Sequence, residues 1–379
     1  MSVATLEKNL TRAHQEWISR PDDERYLSLD DLYAATAARA EECRIRTDTT
    51  RSLLVRGSEA AGGRLTVEHD ELGELDPTHW SLGQLATTAH TPAKWLREIA
   101  TVPAGPAFGA HALNLGLRHL SDSGRVQLMS RAEADASGGR HLELRCIVGP
   151  DYGRIYDHEV VRAVRELNQD GRWRVPAASY SAVNPKRATT LYASDRDVFI
   201  FLVDDERPIS FEADGVRRNL FRGFMVWNSE VGSRTFGLTT FLYNFVCDNR
   251  IVWGATDVRE LTIIHRKNAP ERFAKEALPH LRAYADSTVT DLEAMLARAA
   301  RRAVTDTDEK VLDWLRYHHF TKKEAEAVIE MARIEEGGAR TVWQLVQGGT
   351  ALARSIPHAD ERVSFENRVS GLLYYAEKE

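Results

Sequence analysis

Residues 225–254 read MVWNSEVGSRTFGLTTFLYNFVCDNRIVWG, an apolar stretch interrupted by two short polar groups. The first group, at 228–230, is Asn-Ser-Glu, and the second, at 247–249, is Cys-Asp-Asn. We predict a strand before the first group, a buried helix over 235–247 and a returning strand after the second group. In this interpretation residues 228–230 shape a turn and Asn249 closes the helix. The polar groups would serve chemistry, ligand binding or turn geometry.

The overall composition is typical of a soluble globular protein. The chain has 379 residues, of which 43% are hydrophobic and 28% are charged. No apolar run approaches the roughly 18 residues that a membrane-spanning helix needs, and the polar N-terminus lacks the hydrophobic core of a signal peptide. Cys43, Cys146 and Cys247 lie too far apart in sequence to form a disulfide framework or paired zinc ligands. We therefore expect a cytoplasmic protein with no membrane partner, bound metal or other cofactor.

The spacing of apolar residues divides the chain into three regions. Residues 1–122 are predicted to form a mainly helical N-terminal region with a small hairpin. Residues 123–268 are predicted to form an α+β core domain, and residues 269–379 a helical C-terminal region. The predicted fold class is α+β, with a central, mostly antiparallel sheet, packed helices and helical regions at both ends.

Local signals place the individual elements. Asp157 is predicted to cap a helix, and Thr321 with Glu324 has the spacing of a capping box. Strands are predicted over 51–56, 64–69, 125–133, 142–148, 197–203, 209–213, 223–231, 251–254 and 258–265. Helices are predicted over 3–19, 28–43, 104–120, 157–167, 291–303, 309–319, 321–332, 341–353 and 361–375.

Residues 80–100 predict two short helices joined by a tight turn, the pattern of a helix-turn-helix DNA reader. Ser81 and Gln84 have capping-box spacing at the start of the first helix. The second helix offers only Lys94 and Arg97 to a duplex. Because the preceding segment is acidic, we favour an ordinary helical pair.

A group of polar residues around the opening stretch suggests an enzyme. Glu230, Cys247, Asp248 and His265 all lie near ends of predicted elements, where thiol, carboxylate and imidazole serve as nucleophile and base or as metal ligands. The structural alternative has Cys247 as a buried apolar residue, Glu230 satisfying a backbone or arginine donor and His265 ending an edge strand. We favour this alternative, because none of these residues shows the close spacing of ligand pairs.

A second group of residues is basic and suggests a groove that follows a nucleic-acid backbone. The net charge of −6 argues against a broadly basic surface but is compatible with a local one. The alternative is a solvated face with salt bridges. The candidate residues are Lys186, Arg187, Arg217, Arg218, Arg222, Arg234, Arg250, Arg266 and Lys267.

Several blocks of the sequence resemble the phage- and plasmid-type domain-of-unknown-function family 932. The blocks are RCIVGPDYGRIYDHEVVRAV (145–164), FRGFMVWNSEVGSRTFGLTTFLYNFVCDNRIVWG (221–254) and ELTIIHRKN (260–268). Residues 80–99 and 341–354 are also similar to it, so that the resemblance covers most of the chain. It implies a phage, prophage or plasmid setting but no established activity.

Two classes of function follow from these patterns. The favoured hypothesis is a nucleic-acid-binding protein of the single-strand annealing type, because the predicted strands and helix over 197–247 are similar to the β-β-β-α core of single-strand annealing recombinases. It would bind single-stranded DNA through the arginines and assemble as a homo-oligomer through its C-terminal helices. The alternatives are a metal- or thiol-dependent enzyme acting on nucleic acid or a nucleotide, with Glu230, Cys247 and His265 at its centre, and a non-catalytic host-interaction protein.

Overall fold

A computed structural model gives the architecture and describes most of the chain. The described residues are 21–59, 64–120, 124–134, 140–175, 189–244, 249–252, 260–286, 290–353, 355–356, 365–366 and 368–376. Two sheets with flanking helices account for most of them, which confirms the α+β class. The strand pairs are antiparallel with one exception among the described pairs. No helix in these ranges is long and apolar enough to cross a bilayer.

The secondary-structure elements have the following bounds. The strands are β1 (Arg25–Tyr26), β2 (Cys43–Thr49), β3 (Leu53–Ser58), β4 (Arg64–His69), β5 (Gly73–Pro77), β6 (Arg125–Ala134), β7 (Arg140–Val148), β8 (Leu191–Ala193), β9 (Val198–Val203), β10 (Ile209–Ala213), β11 (Val216–Asn228), β12 (Phe236–Asn244), β13 (Asn249–Val252) and β14 (Glu260–Ile263). The helices are α1 (Leu29–Glu42), α2 (His79–Thr88), α3 (Ala93–Ile99), α4 (Gly105–His119), α5 (Asp157–Leu167), α6 (Ala269–Arg272), α7 (Leu278–Asp286), α8 (Thr290–Arg301), α9 (Asp308–Tyr317), α10 (Lys322–Glu336) and α11 (Val342–Ala353). The predicted helix over 3–19 lies outside the described residues.

The larger sheet has eight strands in the order β1-β8-β9-β11-β12-β13, with β10 added to β11 and β14 added to β12. All six residues of β9 are buried. This explains why apolar residues in this part of the sequence do not alternate with polar ones. Val198, Ile200 and Leu202 pack into a core with helices α1, α5 and α7, while Phe199 and Phe201 pack on the opposite face. A sheet covered on both faces needs apolar side chains at consecutive positions.

The predicted helix over 235–247 is wrong, because β12 occupies this part of the chain. It pairs with β11 on one side and with β13 and β14 on the other. Thr239 and Thr240 are β-branched and buried in the middle of the strand, where such residues pack well. Asn249 begins β13 instead of closing a helix. The predicted β-β-β-α order over 197–247 is therefore wrong as well.

The smaller sheet has six strands in the order β2-β6-β7-β5-β4-β3. The predicted hairpin of 51–56 with 64–69 is confirmed by the antiparallel pairing of β3 with β4. Strands β6 and β7 join β2–β5 in this sheet, and helices α2–α4 cover one of its faces. The predicted capping box of Ser81 with Gln84 is wrong, because the Thr78 hydroxyl caps α2 by accepting from the Ser81 N–H.

The C-terminal helices pack on the β10–β11 hairpin. Trp343 of α11 is fully buried and meets the Phe211 ring edge-on at 4.7 Å. The predicted capping box of Thr321 with Glu324 is confirmed at the start of α10. Helix α11 approaches α10 so closely at Gly348 that a Cβ there would collide with the Val328 carbonyl oxygen.

This close approach predicts that Gly348→Ala destabilises the protein. Alanine stabilises a helix by about 1 kcal/mol relative to glycine. Crowding of the helix pair costs about 1–3 kcal/mol, so the net change in the free energy of unfolding is a decrease. Gly83→Ala in α2 is the control, because its Cβ would meet only the Arg97 side chain, at 3.4 Å. Urea unfolding should show a lower free energy for Gly348→Ala and an unchanged or higher one for Gly83→Ala. Equal effects would contradict the packing argument.

Candidate functional site

An irregularity in β7 directs an arginine toward the larger sheet. Met129 of β6 pairs with Cys146, but the next residue, Ser130, pairs with Leu144, so that Arg145 is an extra residue in a β-bulge. Such bulges turn a side chain to a face that it would otherwise miss. As a result Arg145 reaches the segment between β11 and β12.

Arg145 and Glu230 form a buried ion pair between the two sheets. The Arg145 Nη1 donates to Glu230 Oε1 at 2.6 Å, and the residues are 1% and 2% exposed. The same guanidinium donates to the Asp195 carbonyl oxygen at 3.0 Å and contacts the Cys43 Sγ at 3.2 Å. The other carboxylate oxygen of Glu230 accepts the Asp157 N–H at 3.2 Å. Both carboxylate oxygens of Glu230 are therefore occupied.

The whole segment 228–231 is tied to both sheets. Asn228 donates to the Ile155 carbonyl oxygen at 2.9 Å and to the Asp157 carboxylate at 2.7 Å. On the side of the smaller sheet, Trp80 and Gln84 of α2 both donate to the Val231 carbonyl oxygen. Gly232 follows with a φ of 84°, which glycine adopts readily and which lets the chain turn into β12.

The pKa values of the two buried carboxyl groups of the centre are shifted in opposite directions. Burial, together with the nearby Glu230 carboxylate, raises the pKa of Asp157 well above its ordinary value. Burial would also raise the pKa of Glu230, but the charge of Arg145 and its hydrogen bond outweigh it and lower that pKa. Of the two carboxyl groups, Asp157 is therefore the one that takes up a proton first as the pH falls. The predicted capping role of Asp157 is wrong, because Tyr156 is the N-cap residue and Asp157 begins the helix.

His265 lies in the same centre. Its Nδ1 is 3.1 Å from the Gly153 carbonyl oxygen, and its ring stacks on Tyr152 at 5.1 Å. Burial, aided by the charge of Arg154, lowers the pKa of His265 to about 4. The imidazole is thus neutral, with its proton on the nitrogen that donates to Gly153. The Tyr152 hydroxyl donates to the Ser229 carbonyl oxygen at 2.9 Å, which links His265 to the turn.

The candidate catalytic residues are thus partly brought together. Glu230 and His265 belong to one buried centre, in which the Arg154 guanidinium donates to the Glu230 carbonyl oxygen and lies over the Tyr152 ring. Cys247 and Asp248 lie outside the described residues. Among the residues that are described, no group of three or more His, Cys, Asp or Glu side chains is placed to hold a metal ion.

The candidate nucleic-acid-binding residues do not form one row. Arg222 is 2% exposed and donates to the Tyr284 carbonyl oxygen, while Arg218 and Arg234 form ion pairs with Glu336 and Asp197. The described candidates with exposed side chains and no ion pair among the described residues are Arg217, Arg266 and Lys267. Lys186 and Arg187 lie outside the described residues, and Arg250 is described only as part of β13.

Several residues of the centre were missed by the sequence interpretation. They are Arg145, Tyr152, Arg154, Asp157 and Asn228. Two arginines in the stretch RCIVGPDYGRIY, in which Asp151 is the only other charged residue, were the available signal, since a buried charged residue needs a partner.

The buried ion pair predicts a strong and non-additive effect of substitution. Arg145→Met should lower the free energy of unfolding by about 3–5 kcal/mol, because it leaves the Glu230 charge uncompensated. Adding Glu230→Gln removes that charge, and the double variant should lose less than the sum of the two single variants. As a control, Arg56→Met breaks the exposed Arg56–Glu68 pair and should cost at most about 1 kcal/mol. Additive losses in urea unfolding would contradict the ion-pair account.

The raised pKa of Asp157 predicts a characteristic pH dependence. Since folding raises its pKa, its contribution to stability is present at low pH and is lost as the pH rises above 3.8 toward the folded value. Asp157→Asn removes this loss and retains an oxygen that accepts from Asn228. The stability of the variant relative to wild type should therefore increase as the pH rises above 3.8.

Asp48→Asn provides the control of opposite sign. The Thr49 N–H and the Arg46 side chain lower the pKa of Asp48 to about 2, so its contribution is present above 3.8 and lost at lower pH. The stability of Asp48→Asn relative to wild type should therefore fall as the pH rises from about 2 to 3.8. If both variants showed the same trend in urea unfolding, the assignment of the proton to Asp157 would be wrong.

Comparison with known proteins identifies the family of this chain. The model of the family described as "Domain of unknown function (DUF932)" matches residues 146–350, which is more than half of the chain. The match includes Arg154, Asp157, Glu230 and His265. No curated protein and no solved structure matches the chain. The chain therefore belongs to the DUF932 family.

Proposed function

We propose that the protein binds nucleic acid, and preferentially single-stranded DNA, through the segment 264–268, in which every residue except His265 is exposed. The observation that carries this proposal is the pair Arg266 and Lys267. Both side chains are exposed, and neither forms an ion pair among the described residues. Neighbouring cations that have no carboxylate partner in the part of the chain that the structure describes suit phosphates, here on a protein of net charge −6.

The backbone of this segment is fixed by the buried centre. The Gly153 N–H donates to the His265 carbonyl oxygen at 3.3 Å, and Tyr152 forms a β-bridge with Arg266. A Cβ at Gly153 would collide with the Arg266 carbonyl oxygen, so the backbone segments around Gly153 and Arg266 are in direct contact. His265 points inward and is buried, whereas Arg266 and Lys267 point outward. A rigid support reduces the ordering cost of phosphate binding.

An exposed apolar side chain favours single strands over duplex DNA. Ile264 is 56% exposed beside the two cations. The faces of bases are accessible in a single strand and stacked in a duplex, so an apolar contact next to phosphate-binding cations suits the single strand. Arg217 lies near the other end of β11, on the order of 35 Å from the Asn228 end, and would contact a different part of a long strand.

Binding to a fluorescein-labelled, single-stranded oligonucleotide tests the proposal. Fluorescence anisotropy should show binding at low salt that weakens steeply as salt is added. Arg266→Ala/Lys267→Ala should weaken binding and reduce the slope of log K against log salt by about 1.4, since each phosphate contact in a single strand contributes roughly 0.7.

Lys322→Ala/Lys323→Ala is the matched control, because it removes two adjacent exposed lysines elsewhere, at the start of α10. Its binding and salt slope should equal those of wild type. No binding at low salt, or equal binding by the two double variants, would overturn the proposal. Tighter binding to the corresponding duplex would overturn the preference for single strands.

An enzyme acting on nucleic acid or a nucleotide is the second candidate. The observation that favours it is the convergence of shifted pKa values at Glu230, Asp157 and His265, since such groups cluster in active sites. The thiol-dependent form requires Cys247, so Cys247→Ala should abolish turnover of a labelled oligonucleotide. An unchanged product yield in that variant would exclude this form, and an unchanged yield after chelation would exclude the metal-dependent form.

A further inference from the structure

We infer that His79, Arg97 and Arg196, which we call the His79 cluster, form a binding site for a phosphate group. The three residues come from different elements: His79 begins α2, Arg97 is in the last turn of α3, and Arg196 lies between β8 and β9. The Arg97 Nη2 donates to the His79 carbonyl oxygen at 3.1 Å, and the Arg196 Nη2 donates to the His79 Nδ1 at 3.2 Å. Two guanidinium groups therefore converge on one residue.

The carboxylates that are close in sequence leave this cluster positively charged. Two of them form ion pairs outside the cluster, namely Asp76–Arg64 and Glu98–Lys94. Asp195 Oδ1 is 4.0 Å from the Arg196 Nε, which is too far for a hydrogen bond. Within the part of the chain that the structure describes, neither arginine of the cluster donates to a carboxylate. Asp195 therefore offsets one of the two positive charges at most.

A second pair of arginines shows the contrasting arrangement. Arg333 and Arg340 both donate to the carboxylate of Asp308, and hydrogen bonds from Arg340 and Arg333 lower the pKa of that carboxyl group. In the His79 cluster the group between the arginines is a backbone carbonyl and an imidazole, which carry no negative charge. Burial, together with the charges of the two arginines, lowers the pKa of His79 and keeps its ring neutral at pH 7. An anion would relieve the repulsion that remains between the two arginines.

The cluster is held in place by the surrounding structure. The Ser229 and Ser233 hydroxyl groups donate to the Arg196 carbonyl oxygen at 2.6 and 3.1 Å. The Arg97 side chain lies on the first turns of α2, where a Cβ at Gly83 would be 3.4 Å from the Arg97 Nη2. Donors that are already fixed in position lose little freedom when a ligand binds.

The chemistry of the cluster favours a phosphate group over a carboxylate. A guanidinium presents N–H groups in a planar fork that matches the oxygens of either anion. A phosphate monoester carries about −1.5 to −2 charges at pH 7 and can neutralise two guanidinium groups, whereas a carboxylate carries a single charge. The first turn of α2 contains no acidic residue, so the positive end of the helix dipole adds to the attraction.

His79 also contributes to this site. Because arginine can only donate, the His79 Nδ1 accepts from Arg196 and the proton of the neutral ring is on Nε2. The residue is exposed, so its ring can report on a bound anion. A phosphate bound beside the ring should raise the pKa of His79, because a nearby negative charge favours the protonated imidazole.

Titration of the full chain with inorganic phosphate at constant ionic strength tests the inference. The NMR signal of the His79 ring, assigned with His79→Gln, should shift saturably with phosphate and much less with acetate. Arg97→Ala, and separately Arg196→Ala, should weaken phosphate binding roughly tenfold or more, since each removes charge-assisted hydrogen bonds. Arg196→Ala retains the carbonyl oxygen that binds the two serines, so this variant should fold as wild type does.

Arg333→Ala/Arg340→Ala is the matched control, because these two arginines already share the Asp308 carboxylate. It should bind phosphate as wild type does. A His79 signal that does not respond to phosphate, or that responds equally to acetate, would overturn the inference. An unchanged phosphate affinity in Arg97→Ala/Arg196→Ala would overturn it as well.

Oligonucleotides distinguish two sources of the phosphate group. If the protein binds single strands as proposed, a 5′-phosphorylated strand should bind more tightly than the same strand without the phosphate. Arg97→Ala/Arg196→Ala should abolish this difference. Equal affinities of the two strands, with phosphate binding intact, would assign the site to free phosphate or small phosphate esters. Arg266→Ala/Lys267→Ala should leave the response of His79 to inorganic phosphate unchanged, so a failure of strand binding at 264–268 would be seen separately.

Discussion

The contact between Arg145 and Glu230 is the constraint on which the junction of the two sheets depends. Two charges removed from water are tolerated only when they are paired and their remaining hydrogen-bonding groups are satisfied. The bulge in β7, the turn after β11 and the start of α5 all meet at this pair. Because these buried charges must be satisfied, the bulge, the turn and the helix start have to meet at one place between the two sheets.

A good part of the fold was predictable from local sequence signals. Thr321 caps α10 as expected, since capping requires only a hydroxyl at the right distance from free N–H groups. The prediction failed at 235–247, where burial on both faces removes the alternation that distinguishes a strand from a buried helix. The bulge at Arg145 could not be predicted, because it depends on the pairing of β7 with β6. The spacing of apolar and polar residues along β7 does not reveal it.

The candidate site shows the same limit more clearly. Sequence proximity grouped arginines around β11, yet Arg222 turns into the core while Arg217 remains at the surface. Which side of a strand faces solvent is decided by what packs on it, and here α7 covers the side of Arg222. Glu230 and His265 lie in one buried centre, but their partners come from residues 145–157, far away along the chain. Charge counts along a sequence therefore overestimate the number of cations that a ligand can reach.

The bulge in β7 also limits how this part of the chain can change in length. Leu144 and Ile147 face the same core with helices α2–α4 although an odd number of positions separates them, and this is possible only because Arg145 is the extra residue. Loss of a single residue here would rotate one half of the strand so that its buried side chains face the opposite side of the sheet. Polar and apolar faces would exchange along that half, and strand pairing would shift by one position. Insertions and deletions should therefore be far less tolerated between positions 144 and 147 than substitutions.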